Sequence, residues 1–348
     1  MAPALTALLL FALGLGTTIT FASSHWLVAW MGLEVNTLAI LPLMARHHHP
    51  RAVEATTKYF LIQVTGAALL LFATCTSAWL TGEWEIKQTT HVYPNTMAMI
   101  ALTLKLGLAP MHIWLPEVLQ GLDLSMGLLV STWQKFAPMI LLVQIAPSDS
   151  NLLIIMGVIS TLLAGWAALN QTQIRKILAY SSIAHLGWMV VVLQFSVGLT
   201  LLTLLVYTIM TSSAFLIFSK NKTTTINSLG ISWAETPAIT ALAPLILLSL
   251  GGLPPLTGFM TKWLILQELT KQGLSALATL TALSALLSLY FYLRLSYAMT
   301  LTMSPNNTTG TAPWRLTSPK RTLPTAVFTM GTLLLLPLMP AITAFFTQ

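Results

Sequence analysis

Long apolar runs follow one another along most of this chain, and short polar segments separate them. A helix that crosses a bilayer needs about 20 mostly apolar residues. Segments of this kind lie at 3–22, 25–44, 56–80, 94–114, 125–146, 151–170, 177–194, 197–219, 237–270, 273–299 and 323–346. The pattern predicts an all-α polytopic membrane protein with about eleven transmembrane helices. Because the connecting loops are short, residues 1–348 are expected to form a single membrane domain.

The composition agrees with a location in lipid. The chain is 55% hydrophobic and 7% charged, whereas soluble domains carry about 25% charged residues. The formal net charge of +7 reflects basic loops, and no basic patch interleaved with aromatic residues predicts nucleic-acid binding. Cys75 is the single cysteine and lies in an apolar run. We therefore expect neither an intramolecular disulfide nor a thiolate metal site.

Charges in the loops predict the orientation of the chain. With about eleven spans, the N-terminus and every second loop share one side of the membrane. That side carries Arg46, Arg51, Lys58, Arg175, Lys176, Lys220, Lys222, Arg294, Arg315, Lys320 and Arg321. The opposite side carries Lys87 and Lys271. The asymmetry places the N-terminus in the compartment where the chain is made and the C-terminus across the membrane.

Four ionisable residues lie well inside predicted spans: Glu34, Lys105, Lys135 and Lys262. A lysine at the centre of a membrane helix costs roughly 2.5–3.5 kcal/mol on insertion scales. One such residue can be a structural ion pair, but four on four helices indicate function. Burial disfavours a charged amine and a nearby carboxylate favours it, so a Glu–Lys contact that forms and breaks binds and releases a proton. Arginine would stay charged.

Two predicted helices, the fourth and the ninth, contain helix breakers beside a buried lysine. Pro110 follows Lys105, and Gly252, Pro254 and Pro255 precede Lys262. Proline removes a backbone donor, and broken helices in lipid are tolerated where they line a polar cavity. Because similar breaks occur five helices apart, the sequence predicts two inverted five-helix repeats, about 3–146 and 151–299, plus one C-terminal helix at about 323–346.

Two further motifs are only weak indications of a binding site. The triplet His47-His48-His49 is expected to be a solvated loop near the headgroups rather than a metal site. The segment FALGLG, residues 11–16, lies in a predicted span without a βαβ context, so it does not indicate a nucleotide site.

The most specific motifs of the chain resemble a known family. They are HWLVAWMGLEVNTLAILPLM (25–44), HHHPRAVEATTKYFLIQ (47–63), KLGLAPMHIWLPEVLQG (105–121), STWQKFAP (131–138), QTQIRKILAYSSIAHLGWM (171–189) and GGLPPLTGFMTKW (251–263). Nearly the whole chain is similar to the antiporter-like membrane subunits of respiratory complex I, NADH:ubiquinone oxidoreductase, which are akin to cation/proton antiporters. Members usually have fourteen helices, and shorter animal members lack the first three.

This resemblance implies a role for each buried group in proton translocation coupled to NADH-to-ubiquinone electron transfer. Glu34 would pair with Lys105 on the first broken helix, Lys135 would lie at the middle of the channel, and Lys262 would lie on the second broken helix. His185 is a candidate relay on the central polar axis. His112 is a second candidate, although it can also simply cap or pack at the break.

The resemblance also implies the surroundings of the chain. It would lie in the mitochondrial inner membrane, with its N-terminus on the matrix side and its C-terminus on the intermembrane-space side. It would hold no redox centre and no metal, since NADH, FMN, iron–sulfur clusters and ubiquinone would bind to other subunits. Its partners would be other membrane-arm subunits and phospholipids, with cardiolipin as one candidate.

Two alternatives remain open at this point. A stand-alone cation/proton antiporter would need a cation site, and Glu34 is the one acidic residue predicted inside the membrane. A structural spacer subunit without its own proton path would instead keep its lysines paired and inert. A quinone site is less favoured, because no sequence feature marks one.

Overall fold

Helices make up most of the computed structural model, which describes residues 3–46, 49–88, 91–145, 150–234, 236–301 and 322–346. The chain divides into two units, Met1–Met156 and Gly157–Gln348, and the boundary falls within the eighth helix. The loop residues Arg315, Lys320 and Arg321, together with His47 and His48, lie outside the described residues.

The first unit contains helices α1 to α7. Their bounds are Pro3–Ala22, Trp26–Met44, Pro50–Thr81, Val92–Leu106, Trp114–Gly121, Leu124–Ser131 and Trp133–Gln144. Helices α1 and α2 approach closely at Gly16 and Gly32, where a Cβ atom added to either glycine would lie 2.9 Å from the carbonyl oxygen of the other. The glycine at the end of the FALGLG segment therefore serves helix packing.

The second unit contains most of α8 and helices α9 to α16. Their bounds are Ser150–Ala168, Ile174–Val192, Val197–Lys220, Ile226–Ile231, Pro237–Gly251, Thr257–Lys271, Ser275–Thr300, Leu323–Leu334 and Met339–Phe346. Helices α8 and α9 cross at Gly157 and Gly187, where an added Cβ would lie 3.0 and 2.8 Å from the opposite carbonyl oxygen. The first two helices of each unit thus cross through a reciprocal glycine pair.

A second feature also occurs once in each unit. An isolated β-bridge joins His25 to Glu85 in the first unit and Gln173 to Thr225 in the second. Each bridge ties the connection before α2 or α9 to the connection that follows the next helix. Together with the glycine crossings, these bridges indicate that the two units share local structural motifs.

The predicted breaks in the fourth and ninth helices are confirmed. Helix α4 ends at Leu106 and α12 ends at Gly251. The next residues, Gly107 and Gly252, are left-handed, with φ/ψ of 79°/40° and 84°/43°. Each glycine N–H bonds to the carbonyls three and four residues earlier at 3.0–3.1 Å. Glycine is favoured there because a side chain would strain this backbone conformation.

Two helices that the sequence predicts as continuous are interrupted. Thr132 separates α6 from α7, and its hydroxyl donates to the Leu128 carbonyl at 2.6 Å. Such a bond competes with the helical ladder. Near the C-terminus, a 3₁₀ segment containing Pro337 separates α15 from α16, which are bent by 61°. Proline lacks the N–H that a continuous helix would use.

The predicted count of about eleven spans is not confirmed, although each predicted segment contains at least one helix. Seven helical stretches of the described ranges are long and apolar enough to cross a membrane, with α6 and α7 counted together as one, or eight if α15 and α16 also form one bent span. The other three predicted spans correspond to α9, which carries Arg175, Lys176 and His185, and to the interrupted pairs α4–α5 and α12–α13.

Candidate functional site

Lys105 and Glu34 face each other in the first unit. Lys105 lies in the last turn of α4, and its side chain is 1% exposed, whereas that of Glu34 on α2 is 21% exposed. Lys105 Nζ lies 3.8 Å from Glu34 Oε1, and neither atom has a hydrogen-bond partner in the described part of the chain. This distance is too long for a direct hydrogen bond. The two groups attract each other electrostatically without forming a direct hydrogen bond.

Two side chains donate to backbone carbonyls at the helix break beside Lys105, where the Leu104 carbonyl also accepts from the Gly107 N–H at 3.1 Å. Gln63 Nε2 on α3 donates to the Lys105 carbonyl, and Trp114 Nε1 donates to the Leu104 carbonyl, each at 3.3 Å. A buried carbonyl without a partner would cost free energy. Because Gln63 supplies the bond to the Lys105 carbonyl, the Lys105 ammonium remains available to face Glu34. Neither residue was predicted from the sequence, because their partners are backbone atoms distant along the chain.

Gly66 makes room for the lysine side chain. A Cβ atom added to Gly66 on α3 would lie 2.9 Å from Lys105 Cγ. The stem of Lys105 therefore runs directly over the α3 backbone at this glycine. The Lys105 side chain can extend from α4 toward Glu34 along this path because residue 66 is a glycine and has no side chain.

Lys135 occupies the first turn of α7 and is 2% exposed. Its backbone N–H donates to the Thr132 carbonyl at 3.2 Å, so it lies directly after the unpredicted interruption. Helix α7 packs against α2, which carries Glu34, and against α4, which carries Lys105. The structure thus places these three predicted site residues in one unit, with α7 packed against the helices that carry Glu34 and Lys105.

Lys262 caps the second break in a different way. Its Nζ donates to the Gly251 carbonyl at 2.7 Å and lies 3.5 Å from the Leu250 carbonyl. These are terminal carbonyls of α12, where a positive charge is favoured by the helix dipole. The predicted breakers Pro254 and Pro255 lie between α12 and α13. Here the lysine itself satisfies the carbonyls that the break leaves free.

A cavity of about 350 Å³ adjoins Lys262. Trp188 of α9, Phe259 and Leu266 of α13, and Leu289 of α14 contribute to its wall. We call it the inner cavity. Its wall is mostly apolar, and Lys262 and the backbone around Gly252 are its main polar features.

His185 lies beside buried hydroxyl groups that the sequence analysis did not single out. Its ring centroid is 5.7 Å from that of Tyr207 on α10. Tyr207, Ser182 and Tyr292 are each 1% exposed or less. The motif YSSIAH at 180–185 contained part of this signal, but the tyrosines come from other helices. The group is a polar patch within the second unit that suits a relay role for His185.

Two other histidines lie at helix ends or breaks. His112 lies in the break after α4, where its carbonyl accepts from the Leu115 N–H at 3.1 Å and its buried Nδ1 has no partner in the described ranges. His49 caps α3 by accepting from the Arg51 N–H at 3.3 Å. The described residues contain no cluster of three or more side chains suited to a metal ion.

Comparison with known families defines the class of protein. Residues 23–288 match the family described as NADH:quinone oxidoreductase/Mrp antiporter, TM, and residues 289–343 match NADH dehydrogenase subunit 2 C-terminus. Since the first match covers well over half of the chain, the chain belongs to the NADH:quinone oxidoreductase/Mrp antiporter family.

Relatives that are similar over their full length show which subunit type within this family the chain resembles. NADH-ubiquinone oxidoreductase chain 2 of Tetraodon nigroviridis is 68% identical over 99% of both chains. The protein of the same name from Salmo salar is 64% identical over 100% of both. This similarity places the chain with the chain 2 subunits of respiratory complex I, multi-pass inner-membrane proteins of NADH:ubiquinone oxidoreductase.

Solved structures agree with this assignment. A chain of respiratory complex I from Thermus thermophilus is 26% identical, with a TM-score of 0.80 over 96% of this chain and 79% of that chain. A chain of the Mrp complex from a Dietzia species has a TM-score of 0.83 over 97% of this chain and 76% of that one. At 16% identity, the second likeness shows the fold alone. The first of these structures is respiratory complex I, which agrees with other membrane-arm subunits as partners of this chain.

Proposed function

We propose that this chain translocates protons within the membrane arm of complex I, and that Glu34 and Lys105 form its switching pair. The observation that carries the proposal is their separation of 3.8 Å, with both facing atoms buried and without hydrogen-bond partners in the described chain. Close opposite charge favours the ammonium form of Lys105, and burial favours the neutral amine. A small movement of Glu34 therefore changes the affinity of Lys105 for a proton.

The proton would move between groups on packed helices. When the contact with Glu34 weakens, Lys105 loses an N–H proton, which Lys135 on the neighbouring α7 accepts as a neutral amine. Close packing of α7 against α4 supports this step. We place Lys262 and the His185 patch of the second unit later in the route, with release on the far side of the membrane.

Several finer features belong to the same proposal. NADH, FMN, iron–sulfur clusters and ubiquinone bind to other subunits, so this chain supplies no redox centre. Phospholipids, cardiolipin among them, cover the basic loops, and no nucleic acid is a partner. The N-terminus lies on the matrix side and the C-terminus on the intermembrane-space side of the mitochondrial inner membrane. The loop charge asymmetry supports this orientation.

The proposal is tested with Lys105→Met in the assembled complex. Methionine keeps the length and apolar character of the stem but cannot bind a proton. The matched control is Lys87→Met, because Lys87 is an exposed lysine in the 3₁₀ segment Ile86–Gln88. The rate of NADH oxidation and the number of protons pumped per electron are measured in sealed vesicles, and a native gel reports assembly.

We expect Lys105→Met to lower coupled turnover by about 100-fold, the usual contribution of a proton-transfer group, while Lys87→Met matches the unaltered complex. If a fully assembled Lys105→Met complex keeps both the rate and the proton ratio, the lysine is inert. The structural spacer would then be the correct function.

A further inference from the structure

A second, more polar cavity lies at the end of α13 that is distant from the break. It has a volume of about 300 Å³. Its wall includes Ser196, Leu199, Gln267, Glu268 and Lys271. We call it the outer cavity. The Glu268 side chain is 21% exposed, and its Oε2 lies 3.8 Å from Lys271 Nζ. Glu268 Oε1 also accepts a hydrogen bond from Gln272 Nε2 at 3.4 Å.

Helix α13 connects the two cavities. Phe259, Lys262 and Leu266 line the inner cavity, whereas Glu268 and Lys271 line the outer one. Residues spaced by three or four share a face of a helix, so the two sets occupy different faces. Glu268 follows Lys262 by six residues, which is about 9 Å along the axis at 1.5 Å per residue. Lys262 and Glu268 are therefore carried by one short helix.

An apolar cluster packs against residues from the walls of both cavities. It comprises Trp188, Val191, Val192, Ile265, Leu269 and Ala278, and each of these residues is at most 5% exposed. Leu266, from the inner cavity wall, and Leu199, from the outer cavity wall, both pack against this cluster. We call it the apolar barrier. Hydrophobic constrictions of this kind stop transport when dry and permit it when wetted.

We infer that Glu268 is the terminal proton-exchange group of the second unit and that the apolar barrier gates its access to Lys262. This inference rests on the proposed function, which brings a proton to Lys262. When the barrier is wetted, an N–H bond of the Lys262 ammonium breaks and the proton passes through water to a Glu268 carboxylate oxygen. Lys262 becomes a neutral amine and Glu268 a neutral acid. The acid no longer attracts Lys271 and gives its proton to water in the outer cavity.

The lysine contact with α12 fits this sequence of events. An ammonium holds the Gly251 carbonyl more strongly than a neutral amine does. Loss of the proton therefore loosens the link between α12 and α13. Because Ile265 and Leu269 of the barrier lie on α13, movement of this helix relative to its neighbours changes the packing of the barrier. The release of the proton and the closing of the route are then parts of one cycle.

The first experiment introduces a polar side chain into the apolar barrier so that water can enter it. Ile265→Thr introduces a hydroxyl into the apolar barrier, and Leu283→Thr makes the same kind of change at a 64% exposed position of α14. Passive proton permeability of sealed vesicles is measured without NADH. We expect Ile265→Thr to raise proton permeability several-fold, Leu283→Thr to leave it unchanged, and addition of Glu268→Gln to Ile265→Thr to abolish the increase. Permeability that is unaffected by Ile265→Thr, or that persists in the double variant, overturns the inference.

The second experiment separates this inference from the proposed function. Glu268→Gln, Glu268→Asp and Lys262→Met are compared for coupled turnover of the assembled complex. We expect turnover to be lost with Glu268→Gln and Lys262→Met and largely kept with Glu268→Asp, which retains an acid. If Lys262→Met is inactive but Glu268→Gln is normal, the inference is wrong and the proposed function stands. If both variants are normal, the proposed function fails as well.

Discussion

Lys262 donates a hydrogen bond to the Gly251 carbonyl at 2.7 Å across the break between α12 and α13. The lysine is thus a structural cap and a proton-transfer candidate at the same time. Lys105 lies beside a similar break, but there Gln63 rather than the lysine donates to a carbonyl in the last turn of the helix. A change in the protonation of Lys262 therefore affects the contact between α12 and α13 directly, whereas a change in the protonation of Lys105 breaks no hydrogen bond across its own break.

Replacement of Lys262 by arginine separates its two roles. Arginine keeps the positive charge and can donate to the Gly251 carbonyl, but it does not release a proton in proteins. We expect Lys262→Arg to assemble normally on a native gel while coupled turnover falls by about 100-fold. Lys262→Met is expected to lose turnover and, because the cap is gone, some stability as well. Normal turnover of Lys262→Arg would contradict proton transfer at this position.

Replacement of Gln63 by leucine tests whether the hydrogen bond from Gln63 stabilises the helix break after Lys105. The Lys105 carbonyl would lose the Gln63 hydrogen bond in a buried site, at a cost of about 1–3 kcal/mol. We expect a lower unfolding temperature of the assembled subunit and a lower coupled turnover. Gln63→Glu retains acceptor atoms but, when ionised, cannot donate to a carbonyl, so it should not restore either quantity. Wild-type behaviour of Gln63→Leu would show that another group satisfies this carbonyl.

Alanine at Gly66 tests the path of the Lys105 side chain. The new Cβ would lie 2.9 Å from Lys105 Cγ, and overpacking of a buried contact costs about 1–3 kcal/mol. We expect the lysine to shift away from Glu34 and coupled turnover to fall. Gly14→Ala is the control, because a Cβ there meets no atom within 4 Å and should add about 0.5–1 kcal/mol of helix stability. Equal turnover in the two variants would contradict the claim that Gly66 leaves the space that the Lys105 side chain needs to reach Glu34.

The sequence predicted the fold class and both breaks, because apolar length and paired Gly/Pro interruptions are local signals. Gly107 and Gly252 illustrate this, since each takes the left-handed conformation that ends a helix. The interruption at Thr132 was missed, because a threonine hydroxyl that bonds to the Leu128 carbonyl has no distinctive sequence pattern. Eleven spans were counted from apolar runs, and broken helices make such a count ambiguous.

The charged residues of the candidate site were visible in the sequence because ionisable groups in apolar segments stand out. The residues that position them were not. Gln63 and Trp114 act on backbone carbonyls, Gly66 acts by lacking a side chain, and Tyr207 approaches His185 from another helix. These relationships depend on helix packing, which is set by the whole tertiary structure. Glu268 was hidden because it lies close to a helix end, where a charge is unremarkable.

A double-variant cycle on Glu34 and Lys105 tests the central claim most directly. Coupled proton pumping is measured for Glu34→Gln, Lys105→Met and the two changes combined, with assembly checked for each variant. Residues that act as one unit give non-additive losses. We predict that each single change removes most of the pumping and that the combined variant is no worse than Lys105→Met alone. Losses that simply multiply in the combined variant would show that the two residues act independently, and would contradict a Glu34–Lys105 switching pair.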